Sequence, residues 1–393
     1  GGERVTFGEV MGLLREAEDD RVECGAEFFR YLTDALAPAV EAGVVGKREL
    51  DALYHQMLVM GGVPGKDFQD LRLSVEVALA EEGESLPLSA LESVAEDIEI
   101  AGHVPDAKTV ALLMRGMVPS CAQGNAAFAD VARLLDKAAA QDVRLTPPAL
   151  SHLAAAIGAS ATSAGDAAGY PALGSDPRYL SIPVVRLEEA VELLVTGEEL
   201  AGVKAGGEDW SKLLEVAAAA AHRGMANVRS THGILRRMRE DDDRGNALSP
   251  ESRAALVQVL KGSAAHGMAT MEDAEEVMSH IDRSKDRPSA DALLALLDVV
   301  VAETSSGKAT HLDAIRILTR MRGCGFTPGP DEYRKVLAAA RVSASQGLST
   351  LNDASSALAA LRAATAAGPL DYLALLGTAV LQVEASAGVA RDA

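Results

Sequence analysis

The chain has 393 residues, 48% of them hydrophobic and 3% aromatic, and carries a formal net charge of −20 at pH 7. An acidic excess of that size repels phosphate backbones, so a nucleic-acid groove running the length of the chain is excluded. No apolar run reaches the roughly 20 residues that span a bilayer; the longest candidate, Leu373 to Leu381, is followed closely by Gln382 and Glu384.

From the N-terminus onward one pattern recurs. A small or apolar anchor is followed by apolar residues three and four positions on, then by a glycine, a proline and a second apolar helix. The anchors are Val10, Ala52, Val94, Ala132, Ala190, Thr231, Ala274, Ala314 and Ala354, with one interval, Ala132 to Ala190, longer than the others. The clearest copy is Ala314, Ile317, Leu318 and Met321, spaced to share one helical face. Glycines follow at Gly62, Gly102, Gly202, Gly325 and Gly368, where a left-handed residue ends a helix. Prolines come next at Pro64, Pro105, Pro250, Pro288, Pro328 and Pro369, where the first turn of a new helix tolerates them. Each unit is a helical hairpin of about 40 residues. In series these units predict an all-α protein, a right-handed α-solenoid of about nine helix-turn-helix repeats.

The long interval holds residues 158–183, rich in Gly and Pro from Gly158 to Pro183. It is expected to break the helices and to form a loop. Tyr170, Tyr179 and Leu180 within it are apolar anchors for a partner. The expected division is therefore 1–157, acidic repeats; 158–183, an insertion loop; and 184–393, C-terminal repeats. The chain opens with Gly1-Gly2 and its first methionine is Met11, which reads as a processed or trimmed terminus.

Chemistry is sparse. Cys24, Cys121 and Cys324 are far apart and read as idle thiols of a reducing compartment. Gly43 to Lys47 and Ser305 to Lys308 lack the spacing of a phosphate loop. The eight histidines do not pair with a Glu base at metal-site spacing, and acidic runs such as Glu240 to Asp243 read as solvated surface. No catalytic residue, cofactor or metal is therefore expected.

Charge is unevenly spread. Residues 1–228 carry 18 Lys+Arg against 36 Asp+Glu, whereas residues 229–341 carry 17 against 17. Any contact with a polyanion is expected within 229–341 only, where Arg236, Arg237, Arg316, Arg320, Arg322, Arg334 and Lys335 recur on successive hairpins. Arg316 and Arg320 are one helical turn apart and share a face.

The unit resembles the pentatricopeptide (PPR) repeat through Ala314, Leu318, Met321, Gly325, Pro328 and Tyr333, taken in order, and more weakly through Val94, Ile98, Gly102, Pro105 and Val110. Units of about 40 residues are longer than that family's, and HEAT-type repeats are the alternative label. The resemblance implies an organelle, the mitochondrion or else a plastid, and an RNA-reading residue just after the aromatic position. Here that place holds Ala111, Leu256, Leu294 and Arg334, with Ser151 and Ser211 the polar exceptions. Apolar side chains there cannot match a base edge. The expected function is a non-catalytic scaffold subunit, bound to protein subunits of a large organellar assembly such as a mitochondrial ribosome or a respiratory complex. The alternative is an organellar RNA-binding factor in RNA processing or translation.

Overall fold

A computed structural model of the chain describes residues 7–20, 25–166, 185–241, 248–283, 287–364 and 379. Among these residues all regular structure is helical, and it falls into two compact units, Gly1–Lys212 and Leu213–Ala393. The first holds α1 (Phe7–Asp19), α2 (Ala26–Glu41), α3 (Lys47–Val59), α4 (Lys66–Glu81), α5 (Leu88–Ile100), α6 (Ala107–Ala122), α7 (Phe128–Ala140), α8 (Pro147–Asp166) and α9 (Leu187–Ala201). Helix α10 (Gly207–His222) includes the boundary residue. The second unit continues with α11 (His232–Asp241), α12 (Pro250–Ala265), α13 (Met271–Arg283), α14 (Ala290–Thr304), α15 (His311–Gly323), α16 (Pro330–Ser345) and α17 (Leu351–Ala364).

Two helix lengths alternate. Helices α3, α5, α7, α13 and α15 have 13 residues each, while α2, α4, α6, α10, α12 and α16 have 16. Burial follows the same alternation. In α6, Val110, Leu113, Met114, Met117 and Cys121, with Thr109, Gly116 and Ser120, bury a broad face, whereas α5 buries only Leu91, Val94 and Ile98 along a narrow stripe. In the first unit α2 packs on α4, α4 on α6 and α6 on α8; in the second, α12 packs on α14 and α14 on α16. The short helices α5, α7, α13 and α15 cover this layer, each leaning on the long helices before and after it. The predicted all-α helical-hairpin repeat is what the chain forms.

Every helix whose following link is described ends in a residue with positive φ. Gly43, Gly61, Gly83, Gly102, Gly124, Gly202, Gly224, Gly267, Gly307, Gly325 and Gly347 supply it, and Asp142, at φ 54°, is the one non-glycine. The next amide then donates back into the helix, as in Val44 N–H to Ala39 O at 2.8 Å and Phe326 N–H to Met321 O at 2.9 Å. This satisfies carbonyls that a helix end would leave orphaned. The expected stop Gly62 is displaced by one residue: Gly61 takes the left-handed turn, and Gly62 lies flat against Phe29. Gly368 is outside the described residues.

The starts of α3, α7, α13, α15 and α17 are each capped by an acid of the same helix. Thr270, Thr310 and Thr350, each 40 residues from the next, donate backbone N–H to Asp273, Asp313 and Asp353 at 2.9, 2.9 and 2.8 Å. Among the described residues, prolines open helices at Pro147, Pro250 and Pro330. Pro64, Pro105, Pro288 and Pro328 sit before the cap instead, where a fixed φ stiffens the link.

Three anchors shift in register. The fourth residue of these short helices is buried, and that position holds Leu50, Leu91 and Val131; the expected Val94 is buried one turn further on, whereas Ala52 and Ala132 are not buried. Ala52 is exposed. A core position that accepts Leu or Val as readily as Ala is not identified by a small residue. The segment expected to open at Gly158 also begins as helix, for α8 runs on to Asp166. No proline interrupts Gly158 to Asp166, and burial of Ile157 and Ala161 offsets the roughly 1 kcal/mol that one helical glycine costs. Tyr170, Tyr179 and Leu180 lie outside the described residues.

Close helix approach depends on glycine at one position above all. A Cβ on Gly262 of α12 would stand 2.6 Å from the His222 amide nitrogen and 2.7 Å from the Ala221 carbonyl carbon of α10, both backbone atoms that cannot turn aside. Gly262→Ala is expected to cost about 1–3 kcal/mol of stability by overpacking. Gly233→Ala on α11, where a Cβ meets nothing within 4 Å, should instead gain up to about 1 kcal/mol. Thermal unfolding followed by circular dichroism separates the two; equal midpoints would refute this account of the α10–α12 contact.

Candidate functional site

The basic residues singled out in 229–341 are on the described surface, and carboxylates meet most of them. Arg316 and Arg320 do share one side of α15. The Arg316 guanidinium donates to Asp313 at 2.9 Å, and Arg320 donates to both carboxylate oxygens of Asp282 on α13, each at 2.9 Å. Arg322 turns away to the Tyr333 hydroxyl and lies 5.9 Å from the centre of that ring. Arg334 donates to Asp331 at 2.9 Å, and Lys335 is paired with Asp298 of α14. Arg334 and Lys335 belong to a long helix, so they do not line up with the arginines of α11 and α15. Arg236 is exposed and Arg237 half-buried on α11. The structure thus groups Arg316 with Arg320 and divides the rest between two layers.

Two of these contacts, Arg320 to Asp282 and Lys335 to Asp298, join one repeat to the next. Ionic and polar side chains about 40 residues apart meet along each unit. Arg133 on α7 reaches Glu92 on α5 at 3.1 Å, and Lys137 reaches Glu99 at 2.6 Å, holding its carboxyl below the ordinary range. Arg229 reaches Asp273 at 3.3 Å. Between long helices, the Arg115 guanidinium pairs with Glu81 and lowers that carboxyl in turn. Arg133 and Lys137, cations of the acidic half for which the sequence suggests no role, are therefore structural.

The most enclosed junction of this kind lies between α4 and α6. Asp70 is buried, accepting from the Thr109 hydroxyl at 2.7 Å and from Lys66 Nζ at 2.9 Å, and Lys66 also holds Asp106 at 2.8 Å. Burial alone would raise Asp106, but Lys66 and the Thr109 amide outweigh it and hold the carboxyl low. Nearby, the Tyr54 hydroxyl donates to Asp97 at 3.1 Å while Arg72 lies over the Tyr54 ring at 4.1 Å. Burial, then Asp97, pushes the Tyr54 hydroxyl up. No motif marks these joints in the sequence; the signal available was a polar pair at the repeat distance.

The positions that would read bases are spent otherwise. Leu256 is buried, Ala111 and Leu294 are half-buried, and Arg334 is held by Asp331. The Ser211 hydroxyl donates to the Glu208 carbonyl of its own helix at 2.6 Å; Ser151 is exposed. Beside Ala111 an open depression of about 710 Å³ runs between α6 and α8, with Arg115 and His152 on opposite sides. Burial first, then the Arg115 charge, lowers His152, so its imidazole is neutral at physiological pH. A smaller groove of about 170 Å³ lies between α5 and α7 over Leu113 and Met117 of α6.

Among the described residues no three metal-ligating side chains come together, and no helix is long and apolar enough to cross a membrane. These features define the class, an all-α helical-hairpin repeat protein whose surface carries ion pairs and shallow grooves. The pentatricopeptide repeat protein PPR10 from maize aligns over 98% of this chain and 61% of its own, at 14% identity and a TM-score of 0.36. The same protein in complex with an 18-nt psaJ RNA element aligns over 92% of this chain and 49% of its own, at 17% identity and a TM-score of 0.33. This chain thus spans about half to three fifths of the length of those it resembles. No family model and no curated protein match the sequence.

The described thiols differ in burial. Cys121 is buried, and burial together with Asp130 pushes its thiol up to about 12; Cys324 is half-exposed at the end of α15. Only thiolates attack alkylating reagents. Iodoacetamide is expected to modify Cys324 in the native chain and Cys121 only after unfolding, as read by peptide mapping with mass spectrometry. Native labelling of Cys121 would mean that α6 opens far more readily than its packing allows.

Proposed function

We propose that the chain is a non-catalytic helical-repeat scaffold, presenting its surface to protein partners within a large assembly. The observation that carries this reading is the fate of its cations. In the charge-balanced stretch 229–341, Arg316, Arg320, Arg334 and Lys335 are each matched by a carboxylate, and the rest of the chain is acidic. A polyanion would have to displace these carboxylates before approaching within a Debye length of about 8 Å. Protein partners face no such barrier. The resemblance to pentatricopeptide repeats supports an organelle as the setting, the mitochondrion first and a plastid second, with a ribosome or a respiratory complex as the kind of assembly.

A second reading, an organellar RNA-binding factor, is favoured by one observation. Residues 229–341 are neutral overall, and Arg316, with a side chain 80% exposed, can turn from Asp313 toward a phosphate. On that reading the contact is local and reads no sequence.

Two measurements decide between the readings. Fluorescence anisotropy with the isolated chain should show weak RNA binding, indifferent to sequence, that falls by about tenfold or more between low and physiological salt. Co-purification from organelle lysate after ribonuclease treatment should retain protein partners. Tight preference for one RNA over scrambled controls, with partners lost to ribonuclease, would reverse the assignment. Within the assembly, Arg316→Glu with Arg320→Glu is expected to weaken association, whichever partner the stretch contacts.

A further inference from the structure

The groove between α5 and α7 follows from the layering. Both helices lean on α6, and between them the side chains of Leu113 and Met117 form a buried floor. Half-buried Leu88 and Ala95 make one wall and half-buried Leu134 the other. Ala95 is the reason the space is open, since a longer side chain at that place would fill it. At about 170 Å³ the groove has room for one large side chain, because an apolar cavity of roughly 150 Å³ accepts benzene.

The lips of the groove are charged, and unevenly. Of the acids of α5, Glu92 and Glu96 line the groove, opposite Asp130, Arg133 and Lys137 of α7, and Lys137 is already taken by Glu99 at 2.6 Å. Arg133 crosses the mouth to Glu92 at 3.1 Å, while also bonding Asp130 of its own helix at 2.5 Å, and its side chain is 65% exposed. Glu96, exposed on the same lip, has no ion-pair or hydrogen-bond partner among the described residues. The surroundings reinforce this sign, for residues 1–228 carry twice as many acids as bases. An apolar slot with an unpaired carboxylate at its edge, on a strongly acidic surface, is complementary to a cation-bearing apolar segment.

We propose that this groove docks a basic amphipathic helix of a partner protein, one large apolar side chain entering between Leu88, Ala95 and Leu134 while Lys or Arg beside it pairs with Glu96 and competes with Arg133 for Glu92. The apolar anchor supplies affinity and the carboxylates supply steering and register. The proposal rests on the scaffold reading and gives it a place and a partner chemistry.

The probe is a fluorescein-labelled helical peptide of Lys and Ala with one central Phe, titrated with the full chain and followed by anisotropy. Binding is expected with a dissociation constant on the order of 10 μM at low salt. Ala95→Met, which fills the slot, Glu96→Lys, which removes the free carboxylate, and replacement of the peptide's Phe by Ala should each weaken it about tenfold or more. Glu188→Lys on α9 makes the same charge change away from the groove and should alter affinity by less than about twofold. Unchanged melting of Ala95→Met shows that the variant folds. No binding, equal binding by Ala95→Met, or equal weakening by Glu188→Lys would overturn the groove. So would a homodimer, or poly(U) binding, that Ala95→Met abolishes, since each assigns the slot to another occupant. If the peptide ignores the groove while ribonuclease-resistant protein partners persist, the groove falls and the scaffold stands; if those partners are absent, the scaffold falls by itself.

Discussion

The link between helices is the constraint on which the rest depends. A helix leaves its last carbonyls without partners, and a left-handed residue lets the following amides return to them. Glycine adopts that conformation without a steric penalty, which is why eleven of the positive-φ residues are glycine. The chain then has two or three residues in which to reverse before a Thr, Gly or Ala cap meets an acid three positions on, as at Thr310 and Asp313 or Ala127 and Asp130. With both ends of the link determined, helix lengths of 13 and 16 residues give a period near 40. Constant period is what brings Arg133 to Glu92 and Arg320 to Asp282.

How far this was legible in the sequence differs by level. The hairpin repeat was legible because a 3.6-residue apolar period and punctuating glycines are local signals, carried by residues such as Ala314, Ile317 and Leu318. The register was misread at Ala52, which is exposed, because small and apolar residues there satisfy more than one helical register; the buried position is Leu50. The link grammar was half seen: glycines ending short helices were noticed, while Gly43, Gly124, Gly267 and Gly347, ending long ones, were not. The joint at Asp70, Lys66 and Thr109 was invisible, since it needs two helices brought together from 39 residues apart. Cations were countable in advance; their carboxylate partners on neighbouring repeats were not.

Charge has two separate uses in this chain. Inside each unit, opposite charges at the repeat distance tie neighbouring helices. Exposed pairs of this kind contribute only about 0.2–1 kcal/mol each, so the buried Leu and Ala layer, not the ion pairs, holds the units together. The pairs act instead on specificity. A hairpin slipped by one turn would place Arg320 away from Asp282 and leave Asp70, fully shielded from water, without the Thr109 hydroxyl. A buried carboxylate deprived of a hydrogen bond costs more than a lost surface pair. The remaining carboxylates, unmatched within the chain, set the sign of the surface that other molecules meet.

The two-layer build also decides where a partner can be held. Long helices touch one another directly and close their own layer, with Gly262 of α12 admitting the backbone of α10. Short helices α5 and α7 lean on α6 and leave a slot between them whose depth depends on the side chains lining it. Filling such slots with large residues would stabilise the fold; leaving Ala at position 95 forgoes that gain. A repeat protein can therefore alter its contacts one slot at a time, by exchanging residues on short helices, without disturbing the link geometry or the long-helix layer that maintain its period.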